Sequence, residues 1–169
     1  MKRQHNDNEY VIDSGTTIGH VHLKVSDLER SLVFYRDVLG FEITHRMGST
    51  AAFLSAGGYH HHIGLNTWES AGGKSPMQGT TGLYHFAILV ASRRALAEVV
   101  QRLAQCDWPL DGAADHGVSE AVYLRDPDGN GIEIYRDRPR DQWPKSENGQ
   151  ISMYTHPLDF DMLLQELNR

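Results

Sequence analysis

The stretch that decides the fold is IGHVHLKVSDLERSLVFYRDVLG, residues 18–40. Its first part, residues 18–25, alternates apolar and polar side chains, as a half-buried β-strand does. Ser26 with Glu29 three residues later forms a capping box, and the apolar side chains that follow recur at helical spacing as far as Gly40. These residues predict a strand followed by a helix.

The same order of elements returns later in the chain. After the helix, strands are predicted at 41–46, 50–55 and 60–68, and a connector rich in Gly, Ser and Pro at 69–82. A strand at 84–90, a helix at 92–105 and strands at 108–111, 120–125 and 132–135 follow, the last of them after the turn sequence DPDGNG. The sequence therefore predicts an α+β fold in which two βαβββ repeats, residues 17–68 and 82–137, form a cupped, barrel-like mixed sheet.

The segments outside these repeats are predicted to be simpler. Residues 1–16 are polar and expected to be flexible, and residues 138–169 form a linker with a C-terminal amphipathic helix over 158–167. We expect a homodimer, because this apolar tail helix has little left to cover and because repeats of this kind pair within or between chains.

Composition excludes several classes of protein. The 169 residues contain no apolar run near the roughly 20 residues that would span a bilayer. The formal net charge is −6, and the sequence has no Lys/Arg cluster of the kind that binds nucleic acid. The N-terminus lacks the apolar stretch of a signal peptide and Cys106 is the only cysteine, so a cytoplasmic location is expected. The ten histidines are the unusual feature.

Superimposing the two repeats brings polar residues into equivalent positions. His20 in the first strand of repeat one matches His85 in repeat two, and Gly64 in the last strand matches Glu133. Strand alternation turns the apolar side chains toward the helices and puts these residues on the opposite face: His20, His22, His60, His62, Gly64, Asn66, His85, Glu133 and Tyr135. Two imidazoles and a carboxylate suit a divalent transition metal, so His20, His85 and Glu133 are the predicted ligands.

Other histidines have weaker support. His62 shares the polar face and, with an ordinary pKa of about 6.5, could exchange a proton near neutrality. His60 and His62 could equally line a wet cavity, and His61 is expected to point the opposite way as a structural residue. Taken alone, His116 is no more than a loop histidine.

Several runs of sequence resemble the vicinal oxygen chelate superfamily. They are IGHVHLKVSDLERSL (18–32), FYRDVLGF (34–41), GLYHFA (82–87) and DPDGNGIE (126–133), and the resemblance covers about residues 17–137. Two further runs, AGGYHHHIGLNTW (56–68) and DHGVSEAVY (115–123), are similar to the extradiol catechol 2,3-dioxygenase branch. The segment from Arg136 onward is similar to the interdomain segment of two-domain members, and this chain stops where a second domain would begin.

The resemblance implies an Fe(II)-dependent extradiol dioxygenase that takes a small aromatic diol and O2. Its iron ligands match His20, His85 and Glu133, and its acid/base and substrate-binding residues match His62, His116 and Tyr123. His62 would act as general base, while Tyr123 and His116 would bind the substrate oxygens. The aromatic ring is expected to contact further residues of the cup: His22, His60, Trp68 and Tyr135, with Tyr59 as an additional wall.

Other activities remain open from the sequence. Fe(II) is the expected metal, with Mn, Ni and Zn as alternatives. A glyoxalase-like isomerase or lyase would use nickel or zinc with a fourth protein ligand, and Gly64 at that position offers none. A metal-free, drug-binding resistance protein of the same fold would not require His20, His85 and Glu133 in register.

Overall fold

The computed structural model describes residues 10–77 and 79–169, and within them eight strands form two four-stranded sheets. The first sheet holds β1 (Val21–Lys24), β2 (Glu42–Met47), β3 (Ala51–Ser55) and β4 (Ile63–Asn66). The second holds β5 (Phe86–Leu89), β6 (Gly112–Asp115), β7 (Ser119–Arg125) and β8 (Gly131–Asp137). The helices are α1 (Leu28–Leu32), which continues as a π-helix over Val33–Val38, α2 (Arg93–Gln105), and α3 (Phe160–Leu164), which continues as a 3-10 helix over Gln165–Asn168. A short 3-10 turn covers Arg140–Gln142.

The two sheets have the same topology. Their strand orders are β1-β4-β3-β2 and β5-β8-β7-β6. In each sheet the first strand pairs in parallel with the last, with Val21 opposite Ile63 and Phe86 opposite Ile132, and the other pairs are antiparallel. This confirms the α+β class and the two βαβββ repeats. The strands remain two sheets and do not close into a barrel, because β1 and β5 each pair with one neighbour only among the described residues.

One hydrophobic core joins the repeats. It contains Leu32 and Tyr35 from the first helical segment together with Leu96, Leu124 and Ile134 from the second repeat. Side chains from both repeats fill the same interior, so neither sheet buries its apolar face alone.

A polar joint also connects the repeats. The buried Tyr35 hydroxyl donates to Asp126 Oδ2 at 2.9 Å, and Asp128 accepts from the Ser26 backbone N–H and hydroxyl and from the Arg30 guanidinium. Asp126 also accepts three hydrogen bonds within its own turn, from the Asp128 amide and from the backbone and side-chain amides of Asn130. The DPDGNG turn therefore holds the first helix as well as reversing the chain.

This joint explains why the capping-box prediction is wrong. The N-cap is Asp27, whose carboxylate accepts from the Arg30 amide at 3.0 Å. The Ser26 hydroxyl is instead used by Asp128, 102 residues away in sequence.

Two strand predictions also need correction. Residues 108–111 are not a strand: the Trp108 ring packs against Phe34 at a centroid distance of 4.5 Å, Pro109 has no N–H for a ladder, and the strand begins at Gly112. Of the strand predicted at 60–68, only β4 is a strand. Residues 60–62 precede it, so their side chains do not alternate between the two faces of the sheet.

The C-terminal helix packs within the same chain. Leu163 of α3 is fully buried, α3 lies against α2, and Arg93 of α2 pairs with Glu166 and with the buried Glu120. The expectation that this helix lacks a surface to cover is therefore wrong, because α2 provides it.

The N-terminal expectation is only partly covered by the structure. Residues 1–9 of the segment expected to be flexible lie outside the described residues, and residues 10–16 form an exposed stretch with one turn. In the described parts of the chain, no helix combines the length and apolarity needed to cross a bilayer.

Candidate functional site

His20 and His85 occupy equivalent positions in the two sheets. Each directly precedes a first strand, and the residue that follows each one pairs in parallel with the last strand of its sheet. On β8, Ile132 and Ile134 are buried, whereas Glu133 and Tyr135 are half-buried on the opposite face. The alternation predicted from the sequence is thus confirmed for β8, whereas all four residues of β4 are buried.

The second sheet carries a series of hydrogen-bonded polar side chains. His85 Nε2 lies 3.1 Å from Glu133 Oε2, and the Tyr123 hydroxyl lies 3.2 Å from Glu133 Oε1. The same hydroxyl lies 2.7 Å from His116 Nε2. Burial, and next the negative charge of Glu133, raise the pKa of Tyr123 to about 12, so the phenol is protonated at neutral pH. Its single proton serves one partner at a time, and His116 is the closer one.

The first sheet carries a different group, the histidine cluster: His20, His22, His60, His61 and His62. The His20 and His61 rings are 4.5 Å apart, and the Nδ1 atoms of His60 and His61 are 2.8 Å apart. Burial lowers the pKa of His61, with further contributions from the neighbouring imidazoles, and burial and then His20 lower that of His22. Burial and neighbouring imidazoles therefore favour the neutral forms of His22 and His61.

His61 corrects the sequence interpretation. It was expected to point away from the other histidines, but its ring contacts His20 and Phe53. The expectation assumed strand alternation, whereas β4 begins only at Ile63.

The hydrogen bonds of His62 define which ring nitrogen carries its proton. The Ala56 amide donates to His62 Nδ1 at 3.3 Å, and the Ser55 hydroxyl lies 3.1 Å from the same atom. The amide hydrogen is fixed, whereas a hydroxyl rotates to suit its partner, so Nδ1 is an acceptor. The neutral imidazole therefore bears its proton on Nε2 and presents a hydrogen-bond donor.

A cavity of about 560 Å³ adjoins His20 and His62. Its walls are mostly apolar and come from residues 86–91 of the second repeat, from Ala95 and Val99 on α2, and from Phe41. The volume suits a small organic molecule. His85, Glu133, Tyr123 and His116 are not among the lining residues.

The predicted ring-binding residues His22, His60, Trp68 and Tyr135 are not among the residues that line this cavity. The exposed Trp68 ring is 5.7 Å from His22, and Tyr59 packs against His60 and His62. Tyr135 is half-buried on β8, in the same strand phase as Glu133.

Gly64 makes room for an imidazole. A Cβ atom at this buried position would lie 2.9 Å from the His22 ring, which is opposite Gly64 in the β1-β4 register. In the second sheet the corresponding pair is reversed, with Ala87 on the first strand opposite Glu133 on the last. Each sheet thus places one large polar side chain and one small residue at this pair of positions.

The predicted metal ligands have the donor atoms that a divalent metal needs, but only two of the three lie close enough together to share one ion. Two donors at about 2.1 Å from one ion stand roughly 3 Å apart, as His85 Nε2 and Glu133 Oε2 do. His20 lies in the histidine cluster of the other sheet. Across residues 10–77 and 79–169, no three His, Cys, Asp or Glu side chains are gathered closely enough to hold an ion. The three-ligand assignment stays a prediction.

Sequence reasoning missed three contributors to these surroundings. His61 and Phe53 belong to the first sheet's polar face, and the backbone of Tyr154 contacts His116. Residues 51–55 (AAFLS) have no apolar/polar alternation that would single out Phe53, and no local pattern links Tyr154 to a histidine 38 residues earlier.

The chain is similar in sequence to a dioxygenase and to a metallothiol transferase. It is 43% identical over 155 residues to the catechol-2,3-dioxygenase of Bacillus subtilis strain 168, an alignment that covers 92% of this chain and 53% of the relative. It is 25% identical over 143 residues to the metallothiol transferase FosB of Staphylococcus epidermidis, covering 82% of this chain and 96% of that protein. The chain therefore spans about half the length of the first relative and nearly all of the second.

Solved structures share the fold. A lactoylglutathione lyase from Agrobacterium tumefaciens superimposes with a TM-score of 0.57 at 24% identity, covering 73% of this chain and 96% of that chain. The sequence pattern of the Glyoxalase/Bleomycin resistance protein/Dioxygenase superfamily matches residues 17–134. This match extends over both βαβββ repeats and includes all three predicted metal ligands, so the chain belongs to the Glyoxalase/Bleomycin resistance protein/Dioxygenase superfamily.

Proposed function

We propose that this protein is an Fe(II)-dependent extradiol dioxygenase that cleaves a catechol-type aromatic diol. The observation that carries the proposal is the hydrogen-bonded series from His116 through Tyr123 to Glu133 and His85. It joins the two residues assigned to proton and substrate handling to two of the three assigned iron ligands. The 43% identical catechol-2,3-dioxygenase supports the same substrate class.

Three residues would hold the metal. His85 and Glu133 stand ready as neighbouring donors, and His20 is the proposed third ligand. Bound Fe(II) with three protein ligands would supply open adjacent positions for a bidentate diol and O2.

The remaining residues bind the substrate and manage its protons. His62 would donate a hydrogen bond from Nε2 toward a substrate oxygen, a role that replaces the general-base role expected from the sequence. Tyr123 and His116 exchange their mutual hydrogen bond for bonds to the second substrate oxygen. The aromatic ring would lie against the polar faces of the two sheets, where His22, His60, Trp68 and Tyr135 are the proposed contacts.

Metal-free protein reconstituted with Fe(II) under anaerobic conditions provides the test. On addition of catechol and air, we expect one O2 consumed per catechol, with both oxygen atoms of labelled O2 in the product. Glu133→Gln should bind less iron and consume no O2. Two results together would favour the glyoxalase-like alternative over this proposal. The Fe(II) and Mn(II) forms would take up no oxygen, and the nickel or zinc form would turn over a glutathione adduct.

We also propose that the protein works as a homodimer. Three large apolar side chains near the predicted ligands are exposed in the single chain: Ile18 at 92%, Tyr84 at 88% and Leu89 at 55%. A second copy related by a two-fold axis would cover them. Sedimentation at micromolar concentration should give the mass of a dimer. A monomer mass at every concentration tested would contradict the homodimer proposal.

The dimer offers a test of where His20 acts. If His20 joins His85 and Glu133 across two chains, mixing inactive His20→Ala with inactive Glu133→Gln should restore part of the activity. If the three ligands belong to one chain, the mixture stays inactive.

A further inference from the structure

Residues 152–156, here called the C-terminal strap, run beside the loop that carries His116. The Asp115 amide donates to the His156 carbonyl at 2.8 Å and the His156 amide donates back to the Asp115 carbonyl at 2.9 Å, as in an antiparallel bridge. The Tyr154 amide donates to the His116 carbonyl at 3.3 Å. The strap is therefore attached to the backbone on both sides of the His116 side chain.

The Tyr154 ring anchors the strap. Gly117 has a φ of +77°, and a Cβ atom there would lie 2.6 Å from Tyr154 Cε1, so the ring occupies the space that a larger residue would need. On its other side the ring stacks on His156 at a centroid distance of 4.3 Å. These contacts fix the position of the Tyr154 carbonyl beside His116 Nδ1.

That carbonyl decides the protonation pattern of His116. His116 Nδ1 lies 3.1 Å from the Tyr154 carbonyl oxygen, which can only accept a hydrogen bond, so Nδ1 bears a proton. The Thr155 hydroxyl, 3.3 Å from the same nitrogen, can either donate or accept and does not decide the tautomer. In the neutral ring, Nε2 is then left with its lone pair, 2.7 Å from the Tyr123 hydroxyl.

We propose that the C-terminal strap is a positioning element for His116: the Tyr154 carbonyl, anchored by the Tyr154 ring on Gly117, holds the Nδ1–H tautomer and directs the Nε2 lone pair at Tyr123. Tyr154 is thus a positioning residue that touches no reacting atom. The strap lies outside the two repeats and outside the 17–134 match to the superfamily.

This arrangement has a consequence for Glu133, which rests on the proposed function. The one proton of the Tyr123 hydroxyl is shared between His116 Nε2 at 2.7 Å and Glu133 Oε1 at 3.2 Å, and a lone pair on Nε2 draws it toward the closer His116. The hydrogen bond from Tyr123 to Glu133 is then the weaker of the two, which leaves Oε1 more available to a metal. With the opposite tautomer, Nε2–H would donate to Tyr123 and Tyr123 would donate to Glu133, which weakens the carboxylate as a ligand.

The tautomer can be read directly by nitrogen NMR. Metal-free protein labelled with 15N-histidine gives ring-nitrogen signals that distinguish Nδ1–H from Nε2–H, and the His116 signals are those lost in His116→Gln. We expect the Nδ1–H pattern in the parent and in Tyr123→Phe, because Phe removes the partner of Nε2 and leaves the strap contact intact. A change to Nε2–H in Tyr123→Phe would overturn the proposal, since Tyr123 would then select the tautomer.

A matched pair at Tyr154 tests the anchor. Tyr154→Phe keeps the ring and should keep the Nδ1–H pattern, whereas Tyr154→Ala removes the ring and should give a mixture of tautomers. Equal patterns in the two variants would show that the ring does not set the carbonyl. Thr155→Val should match the parent; conversion to Nε2–H there would transfer the role from the carbonyl to the hydroxyl and contradict the assignment.

Kinetics then separates this inference from the proposed function. If the iron form cleaves catechol, Tyr154→Ala should lower kcat by roughly 10-fold to 100-fold, the range for lost outer hydrogen-bond partners, with KM unchanged. If the parent cleaves no catechol and the NMR patterns are as expected, the dioxygenase proposal fails and the positioning role stands. If the parent is active and the NMR patterns are not as expected, the dioxygenase proposal stands and the positioning role of the strap fails.

Discussion

The two repeats share one topology and one register, yet their polar faces hold different chemistry. Val21 stands opposite Ile63 in the first sheet, and Phe86 stands opposite Ile132 in the second. The first face gathers five imidazoles into a cluster in which neighbouring rings meet at tilted or edge-on angles. The second gathers His85, Glu133, Tyr123 and His116 into a hydrogen-bonded series.

The difference follows from what each strand pair can accommodate. Gly64 leaves space that the His22 ring fills, whereas at the matching positions Ala87 leaves the space to Glu133. A duplicated backbone therefore supplies two equivalent sets of positions, and single small residues decide which strand carries the polar side chain. The polar faces of the two repeats differ accordingly: the first carries the histidine cluster and the second carries the carboxylate of Glu133.

The largest expected effect compares His20 with its repeat mate His85. If both are iron ligands, as proposed, His85→Ala and His20→Ala should each lose bound iron and reduce ring cleavage more than 100-fold, beyond the 10-fold to 100-fold typical of an outer partner. Iron content and catechol-dependent O2 uptake are the measurements. His61→Ala, in the same cluster as His20, is the control and should retain iron. If His20→Ala bound as much iron as the parent, His20 would not be an iron ligand.

The next prediction compares a buried carboxylate in the joint between the repeats with an exposed one. Asp126→Ala leaves the Tyr35 hydroxyl and the amides of Asp128 and Asn130 without their acceptor, so the free energy of unfolding should fall by about 3 kcal/mol. Urea unfolding measures it. Asp111→Ala removes an exposed carboxylate that pairs with Arg125 at 2.8 Å and should cost less than about 1 kcal/mol. Equal losses would mean that the repeats are joined by the apolar core alone.

Alkaline pH probes the same joint through Tyr35. Burial, and next the charge of Asp126, raise the pKa of Tyr35 far above its ordinary value of about 10. Between those values the unfolded chain loses the proton and the folded chain keeps it. Stability is therefore complete below about pH 10 and should fall by about 1.4 kcal/mol per pH unit above it.

The comparison that isolates Tyr35 uses two Tyr→Phe variants. Unfolding by urea from pH 9 upward should show a shallower decline for Tyr35→Phe than for the parent, whereas Tyr10→Phe, at an exposed tyrosine, should follow the parent. Parallel curves for all three proteins would show that Tyr35 ionises in the folded state at its ordinary pKa.

The smallest expected effect concerns Gly64. Gly64→Ala places a methyl group 2.9 Å from the His22 ring, and we expect a loss of about 1 kcal/mol, at the low end for overpacking, because a surface-facing ring can shift. In a His22→Ala background the methyl meets no ring, so the loss should disappear in a double-mutant cycle. A penalty that persists there would place the strain in the backbone of β4.

The sequence by itself determined the local features of this fold. Alternation on residues 21–24 and 132–135 gave the faces of β1 and β8, and the repeat of elements gave the duplication, because strand phase and helix spacing depend on neighbours a few residues apart. The same phase placed His85 and Glu133 on one surface, where the structure has them 3.1 Å apart. The cap was assigned one residue early, since Asp128, not a local amide, takes the Ser26 hydroxyl.

Only the tertiary structure decided which of these local pieces meet. His20 and His85 are equivalent in sequence, but the separation of the strands into two sheets puts His20 beside His61 and His85 beside Glu133. His116 meets the strap across 38 residues and Tyr35 meets Asp126 across 91. Such contacts arise when distant segments pack together around a shared core, and periodicity carries no information about them because it reports only which way a side chain points from its own strand or helix.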